Sequence, residues 1–442
     1  MSLGPELILA VLFGTLLAGL ALGFPVPFVM LGSSMLAGLL AVGPVFFHMM
    51  VLRVFEAMSS YTLIAIVLFV FMGLMLEKSG AAERLFTALH ILLGRLRGGL
   101  ALSVIAVCTV MAAATGIMGA SVIIMGLVAL PRMLERGYDP ALSSGTICAG
   151  GTLGILIPPS IMLIVYAPMA GISVGKLFLA AVGPGLLLTL LYALYILFLS
   201  RLRPEQSPVA SPKERTLSLP QKLWLMVSSL LPALLLILAV LGSIFFGVAS
   251  PTEAAAVGAF FSVLLTWAYG NLSLGVLRET FYQTTRISGM ILLIVAAAFV
   301  FTGAFMMAGG GTLVKETLLA LPMGTSGILL VMTLAFFLFG LFMEWVGIVP
   351  VLVPIFTPVI DQIGVDPLWA AMLFCLAMQT SFLTPPMAPA LFYLKGVAPP
   401  GIRFGEHIAK GVVPFIAIQL LAVALIALFP DLVLWLPGAA LG

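Results

Sequence analysis

The sequence predicts an all-α polytopic membrane protein built as an inverted-topology repeat, with two re-entrant hairpins and two broken helices. Composition is the first ground. Of 442 residues, 62% are hydrophobic and 8% charged, where soluble domains carry about 25% charged residues. No soluble core absorbs that much apolar surface, and many stretches exceed the roughly 20 residues that cross a bilayer. The second ground is a repeat of helix breakers. Pro158-Pro159 and Pro385-Pro386 lie 227 positions apart, and the same offset relates Pro131 to Pro358, Gly137 to Gly364, Asp139 to Asp366 and Pro140 to Pro367. At an offset of 230, GISVGKLFLAAVGP from Gly171 answers GIRFGEHIAKGVVP from Gly401. A helix interior loses about 1 kcal/mol per Gly and 3 per Pro, so paired breakers mark paired interruptions. The third ground is the placement of Lys and Arg.

In chain order the expected spans are 5–23, 26–46, 60–77, 100–131 (long), 140–172 (interrupted), 177–200, 223–247, 253–270, 287–308, 326–360 (long), 367–395 (interrupted) and 411–436. The first lacks the basic flank of a signal peptide and reads as a retained span. Residues 1–200 form a first half and 223–442 a second. Between them 201–222, RLRPEQSPVASPKERTLSLPQK, reads as an exposed cytoplasmic linker. LEKSGAAERLFTALHILLGRLRGG (76–99) and LVKETLLALPMG (313–324) precede the long segments as amphipathic surface arms. Ser250 or Thr252 caps the helix that carries Glu253.

Basic residues flank 100–131 on both sides: Arg95 and Arg97 before it, Arg132 and Arg136 after it. Both flanks are therefore cytoplasmic, and the segment enters and turns back near Thr115–Ser121. Five crossings follow, so the second long segment enters from the other face, where its flanks hold little basic charge. Ten full crossings result, with the N-terminus periplasmic.

Paired interrupted segments in corresponding positions of two halves point to a transporter's binding site. Around the first break, Gly150–Ser160 reads GGTLGILIPPS; around the second, Gln379–Pro389 reads QTSFLTPPMAP. Prolines free the carbonyls one turn earlier, and hard cations such as Na⁺ take oxygen ligands. Thr152, Ser160, Thr380, Ser381 and Thr384 add hydroxyls at the breaks, and Thr115 and Ser121 add them in hairpin one. Helices restarting after each Pro pair present positive N-terminal ends, which favour an anion. Glu344, in MEWVGI, is a carboxylate at membrane depth, where insertion costs roughly 3 kcal/mol. It binds a cation, acts at one remove, or carries a proton.

These stretches resemble the large membrane subunit of tripartite ATP-independent periplasmic (TRAP) transporters, the DctM-like family, over essentially the whole chain. The resemblance rests on GRLRGGLA (94–101), TGIMGASV (115–122), PRMLERGYDP (131–140), GGTLGILIPPSIMLIVY (150–166), PTEAAAVGA (251–259) and QTSFLTPPMAPALFYLKGVAP (379–399). It implies an elevator-type, Na⁺-coupled importer of small organic acids (C4-dicarboxylates, 2-oxo acids or lactate-like carboxylates) in the bacterial inner membrane. It also implies two partners, a small membrane (Q) subunit and a periplasmic substrate-binding (P) protein. One Na⁺ site would join Thr115, Gly116 and Ser121 to Gly151, Thr152, Gly154 and Pro158. A second would join the hairpin-two tip, Gly347 and Ile348, to Thr380, Ser381, Thr384 and Pro385. Substrate would meet Ser160, Glu344, Gln379, Met387 and Ala388. The chain has Glu344 where the family often has Asp, and Met387-Ala388 where Gly is usual after the Pro pair.

A stand-alone Na⁺- or H⁺-coupled carboxylate symporter is the alternative. An enzyme is disfavoured, since no His/carboxylate or Ser/Lys pair stands out at membrane depth. GISVGK (171–176) lacks phosphate-loop spacing. The three cysteines lack metal-ligand spacing, and no basic cluster points to nucleic acid.

Overall fold

Residues 4–209 and 219–441 are described by a computed structural model; the expected linker's 210–218 lie outside them. Every regular element among the described residues is helical. The first half runs α1 (Pro5–Ala21), α2 (Val26–Val42), α3 (Val45–Met58), α4 (Tyr61–Lys78), α5 (Ala81–Leu93), α6 (Gly99–Thr115), α7 (Met118–Glu135), α8 (Pro140–Thr152), α9 (Ile161–Met169) and α10 (Val174–Leu202). The second runs α11 (Leu219–Phe245), α12 (Pro251–Ala268), α13 (Leu274–Met307), α14 (Gly310–Leu319), α15 (Gly324–Gly340), α16 (Trp345–Ile363), α17 (Pro367–Ser381) and α18 (Pro389–Val397). A π-helical turn, Phe404–Ala409, then leads into α19 (Lys410–Leu428) and α20 (Asp431–Leu441).

The repeat read from the breakers recurs in the helix starts. Met118 and Trp345 open α7 and α16, and Pro140 and Pro367 open α8 and α17, each pair 227 positions apart. The cause is local. Asp139 accepts from the Leu142 N–H at 2.7 Å and Asp366 from the Leu368 N–H at 2.8 Å, each followed by Pro at the first helical position. Ser250 and Glu253 form a reciprocal capping box at the start of α12, in line with the sequence.

Eight helices among the described residues are long and apolar enough to cross a membrane. Helices α1 and α2, 17 residues each, sit at the lower limit of about 17 for a span. Four boundaries differ from expectation. The span expected at 287–308 is the end of a 34-residue helix, α13. The span expected at 411–436 divides at Phe429-Pro430 into α19 and α20, because Pro430 supplies no N–H to continue the ladder. Helix α3 was not anticipated. The linker is not wholly exposed: Asp139 N–H donates to Gln206 O at 3.0 Å, and Ser207 is buried with its carbonyl accepting from Gly98 N–H at 3.4 Å.

Helix α12 packs along α4, and α13 along α2. The first contact is bonded by Thr252 to Tyr61 O at 3.3 Å, Thr266 to Met75 O at 3.2 Å and Asn271 to Ser79 O at 2.7 Å. Lys78–Glu279, at 2.7 Å, extends this contact beyond α12. The inner helices pair across the halves: α7 packs on α18, and α16 on α9. Helix α8 meets α19 so closely that a methyl at Gly145 would overlap the Gly411 carbonyl. In lipid such close backbone approach, rather than expulsion of water, drives helix association.

Candidate functional site

Both hairpins turn beside a break. In hairpin one, Gly116 leaves α6 at φ 62 and the chain restarts at Met118. A Cβ on Gly116 would lie 2.5 Å from the Pro159 carbonyl, and one on Gly154 would lie 3.3 Å from Ile117. The tip is therefore seated on the first break, at the depth where that helix is interrupted, and the hairpin does not continue across. In hairpin two, Gly340 presses on the Ser381 side chain just before the second break. Its turn is Leu341–Glu344. Gly347 and Ile348, expected at the tip, lie instead in the first turn of α16 and donate to Glu344 O at 2.9 and 3.2 Å.

A cavity of about 200 Å³ opens where these parts meet. Hairpin one gives it Gly116–Gly119, hairpin two Glu344–Val346, and α13 Ile287, Met290 and Ile291. Met118, Ile161, Trp345 and Pro389 all line it, and these are the first residues of α7, α9, α16 and α18. Four helix N-termini thus converge on one space. None carries a side-chain cap, although α8 and α17 are capped by Asp139 and Asp366. Ser160 holds the cap position of α9, but its hydroxyl donates back to Ile155 O at 2.5 Å. Uncapped first-turn N–H groups and the aligned dipoles make the cavity attractive to an anion. Glu344 brings the cavity's carboxylate and faces Tyr393, whose ring also lies 3.4 Å from where a Gly119 Cβ would be. No Lys or Arg lines it among the described residues.

Of the expected substrate residues, Glu344 lines the cavity, while Ser160, Gln379, Met387 and Ala388 do not. Ser160 and Gln379 are fully buried, with side chains bonded to Ile155 O and to Thr152; Met387 is exposed on the second break. The cavity's other walls, Trp345, Tyr393 and the α13 residues, were missed, because nothing local distinguishes them from ordinary apolar positions.

The hydroxyls expected to ligate an ion are arranged consistently. Thr115, Thr380, Ser381 and Thr384 donate to Met111, Leu376, Met378 and Thr380 carbonyls at 2.9, 2.9, 2.6 and 2.8 Å. With the proton spent on the preceding turn, each oxygen keeps lone pairs for a cation. Ser121 Oγ is buried with no partner among the described residues. Among the described residues, the carbonyls of Leu156, Ile157, Pro158 and Pro159 accept no hydrogen bond, nor do those of Leu383, Pro385 and Pro386. Gly151 and Gly154 bring the first break against hairpin one. The breaks differ in access: 151–160 is buried throughout, whereas Pro385–Met387 is exposed.

Thr152 differs from the other hydroxyls. It donates to Ala149 O at 2.8 Å and accepts from Gln379 Nε2 at 3.2 Å and Gln419 Nε2 at 3.4 Å. Gln419 was not anticipated, though a lone amide in the apolar run IAIQLLAVALI (416–426) is a legible signal.

Two seated hairpins and two broken helices around a membrane-depth cavity define the membrane domain of a secondary transporter. The chain belongs to the tripartite ATP-independent periplasmic transporter family, DctM component, whose model matches residues 13–432. It is 32% identical to the C4-dicarboxylate TRAP transporter large permease protein DctM of Pseudomonas aeruginosa, over 92% of this chain and 93% of that one. It is 30% identical to the ectoine/5-hydroxyectoine large permease UehC of Ruegeria pomeroyi, covering 98% and 99%. The isethionate permease protein DctMQ of Oleidesulfovibrio alaskensis is also 30% identical, over 97% of this chain but 66% of its own length. Among solved structures, the Alcanivorax borkumensis YdaH transporter shares the fold, with a TM-score of 0.62, 17% identity and coverage of 87% and 88%. The chain is a TRAP large permease of the bacterial inner membrane.

Proposed function

We propose that this chain translocates small organic anions across the membrane, coupled to Na⁺, after delivery by a periplasmic binding protein and with a small membrane subunit beside it. The observation that carries the reading is the convergence of four uncapped helix N-termini on one cavity that lacks a basic side chain. A carboxylate there is held by backbone N–H groups. Na⁺, the co-transported ion, supplies the counter-charge from the unpaired carbonyls and half-used hydroxyls at the breaks, with Thr115, Gly116, Ser121, Gly151, Gly154 and Pro158 on one side and Thr380–Pro385 on the other. Binding both neutralises the site, which favours movement of the hairpins and breaks as a body against α1–α4 and α11–α13. For the small subunit, the support is a relative named DctMQ that extends beyond the part this chain matches.

The substrates in the relatives' names differ, from C4-dicarboxylate to ectoine and isethionate, which supports a permissive membrane part and a selective binding protein. Uptake into proteoliposomes, with and without a candidate binding protein and with Na⁺ and pH varied separately, tests the reading. Uptake that needs both Na⁺ and the binding protein supports it. A second reading, proton coupling, is favoured by Glu344 in the cavity wall. Uptake that follows pH and ignores Na⁺ selects it.

A further inference from the structure

Thr152 and Gln379 are counterparts in the repeat, 227 positions apart, and they hydrogen-bond to each other at 3.2 Å. In an inverted repeat, residues touch their own counterparts only where the pseudo-two-fold axis passes. Each also stands at a functional boundary. Thr152 is the last residue of α8 before the first break, and Gln379 lies in the last turn of α17 before the second. Gln419 of α19 adds its amide to the same hydroxyl at 3.4 Å. Tyr192 of α10 faces Thr152 and Gln419, its ring edge-on to Phe415 at 5.3 Å. Thr152, Gln379, Gln419 and Tyr192 are each 0% exposed.

A threonine hydroxyl has one proton and two lone pairs. Here the proton goes to Ala149 O and both lone pairs are taken by amides. The oxygen has no capacity left for an ion while the two amides hold it. Because all three side chains are fully buried, losing that hydroxyl strands two amide donors at once. The arrangement therefore suits a joint rather than a ligand.

We propose that Thr152, Gln379 and Gln419 are positioning residues, forming a hub on the pseudo-two-fold axis that fixes the two breaks relative to each other. Through it the two halves of the site are assembled together and travel as one body. The proposal does not depend on which ion or acid is carried.

The test uses spin labels on Ser173 and Arg403, exposed repeat counterparts that follow the two broken helices. The native Cys108, Cys148 and Cys375 are buried and free, so labelling goes to the introduced sites. Electron–electron double resonance on the full-length protein in lipid reads the distance between them, and proteoliposome uptake is measured in parallel. Thr152→Val keeps the volume and removes the hydroxyl. The expected result is a broadened distance distribution with uptake reduced roughly tenfold, the scale of breaking a buried hydrogen-bonded hub. Thr152→Ser should return both to the parent values. A narrow, parent-like distribution in Thr152→Val overturns the proposal, even if uptake falls, because the hydroxyl then acts locally. If Thr152→Val does not assemble, Gln419→Met decides by the same distance measurement: broadening supports the hub and an unchanged distribution overturns it.

Discussion

The seating of hairpin one on the first break can be tested with one methyl group. Gly116 has φ 62, and a Cβ there would lie 2.5 Å from the Pro159 carbonyl oxygen, a backbone atom that cannot rotate away. Gly116→Ala therefore carries two costs. Left-handed backbone in a residue with Cβ costs about 1–2 kcal/mol, and forcing the contact apart costs about 1–3 more. Gly171 is the control, since its φ is 67 and a Cβ there would meet nothing within 4 Å. Gly171→Ala bears only the backbone cost. The difference, about 1–3 kcal/mol, falls on the contact between tip and break. It corresponds to roughly a 5- to 150-fold loss of the seated tip, at 1.4 kcal/mol per tenfold. Hydrogen–deuterium exchange over 112–122 reads this directly, with thermal unfolding and uptake measured alongside. Gly116→Ala should lose protection at the tip and lose uptake; Gly171→Ala should lower stability slightly and leave the tip protected. Equal behaviour of the two variants would refute the seating argument.

Three further outcomes are expected. Cysteine labels at Arg95 and Arg132 should report one face of the membrane, and labels at Lys315 and Asp361 the other; a split within either pair would make the long segments ordinary spans. Thr384→Ala should raise the Na⁺ concentration for half-maximal uptake several-fold, roughly 3–10-fold for one of several oxygen ligands, and an unchanged Na⁺ curve would remove Thr384 from the ion site. Under the proposed Na⁺ coupling, Glu344→Gln should weaken uptake while leaving its pH profile unaltered; a lost pH dependence would instead make Glu344 the proton carrier.

Much of this architecture is written locally. Asp139-Pro140 and Asp366-Pro367 start helices because cap and proline act within one turn. Pro158-Pro159 and Pro385-Pro386 keep the helices from resuming before Ile161 and Pro389, because neither pair has an N–H to give the ladder. Gly116 turns a hairpin because it tolerates φ 62. The site is less legible. Ser160 reads as available for substrate, but its hydroxyl bonds to Ile155 O. Gln379 reads as a wall of the pocket, but it lies in the contact with Thr152. Gly347 and Ile348 read as a tip, but α16 has already begun there.

By itself, then, the sequence determined the membrane class, the repeat, the two hairpins and the two interruptions. Each depends on hydropathy, on charge bias, or on energies exchanged within about four residues along a helix. Only the tertiary structure decided which of these parts meet. Met118, Ile161, Trp345 and Pro389 line one cavity because α7 packs on α18 and α16 on α9, across the halves. Tyr393 of α18 faces Glu344 at the start of α16, and Gln419 reaches Thr152 where α19 packs on α8. Such contacts join residues far apart in the chain, and no local preference encodes which apolar face will receive which partner.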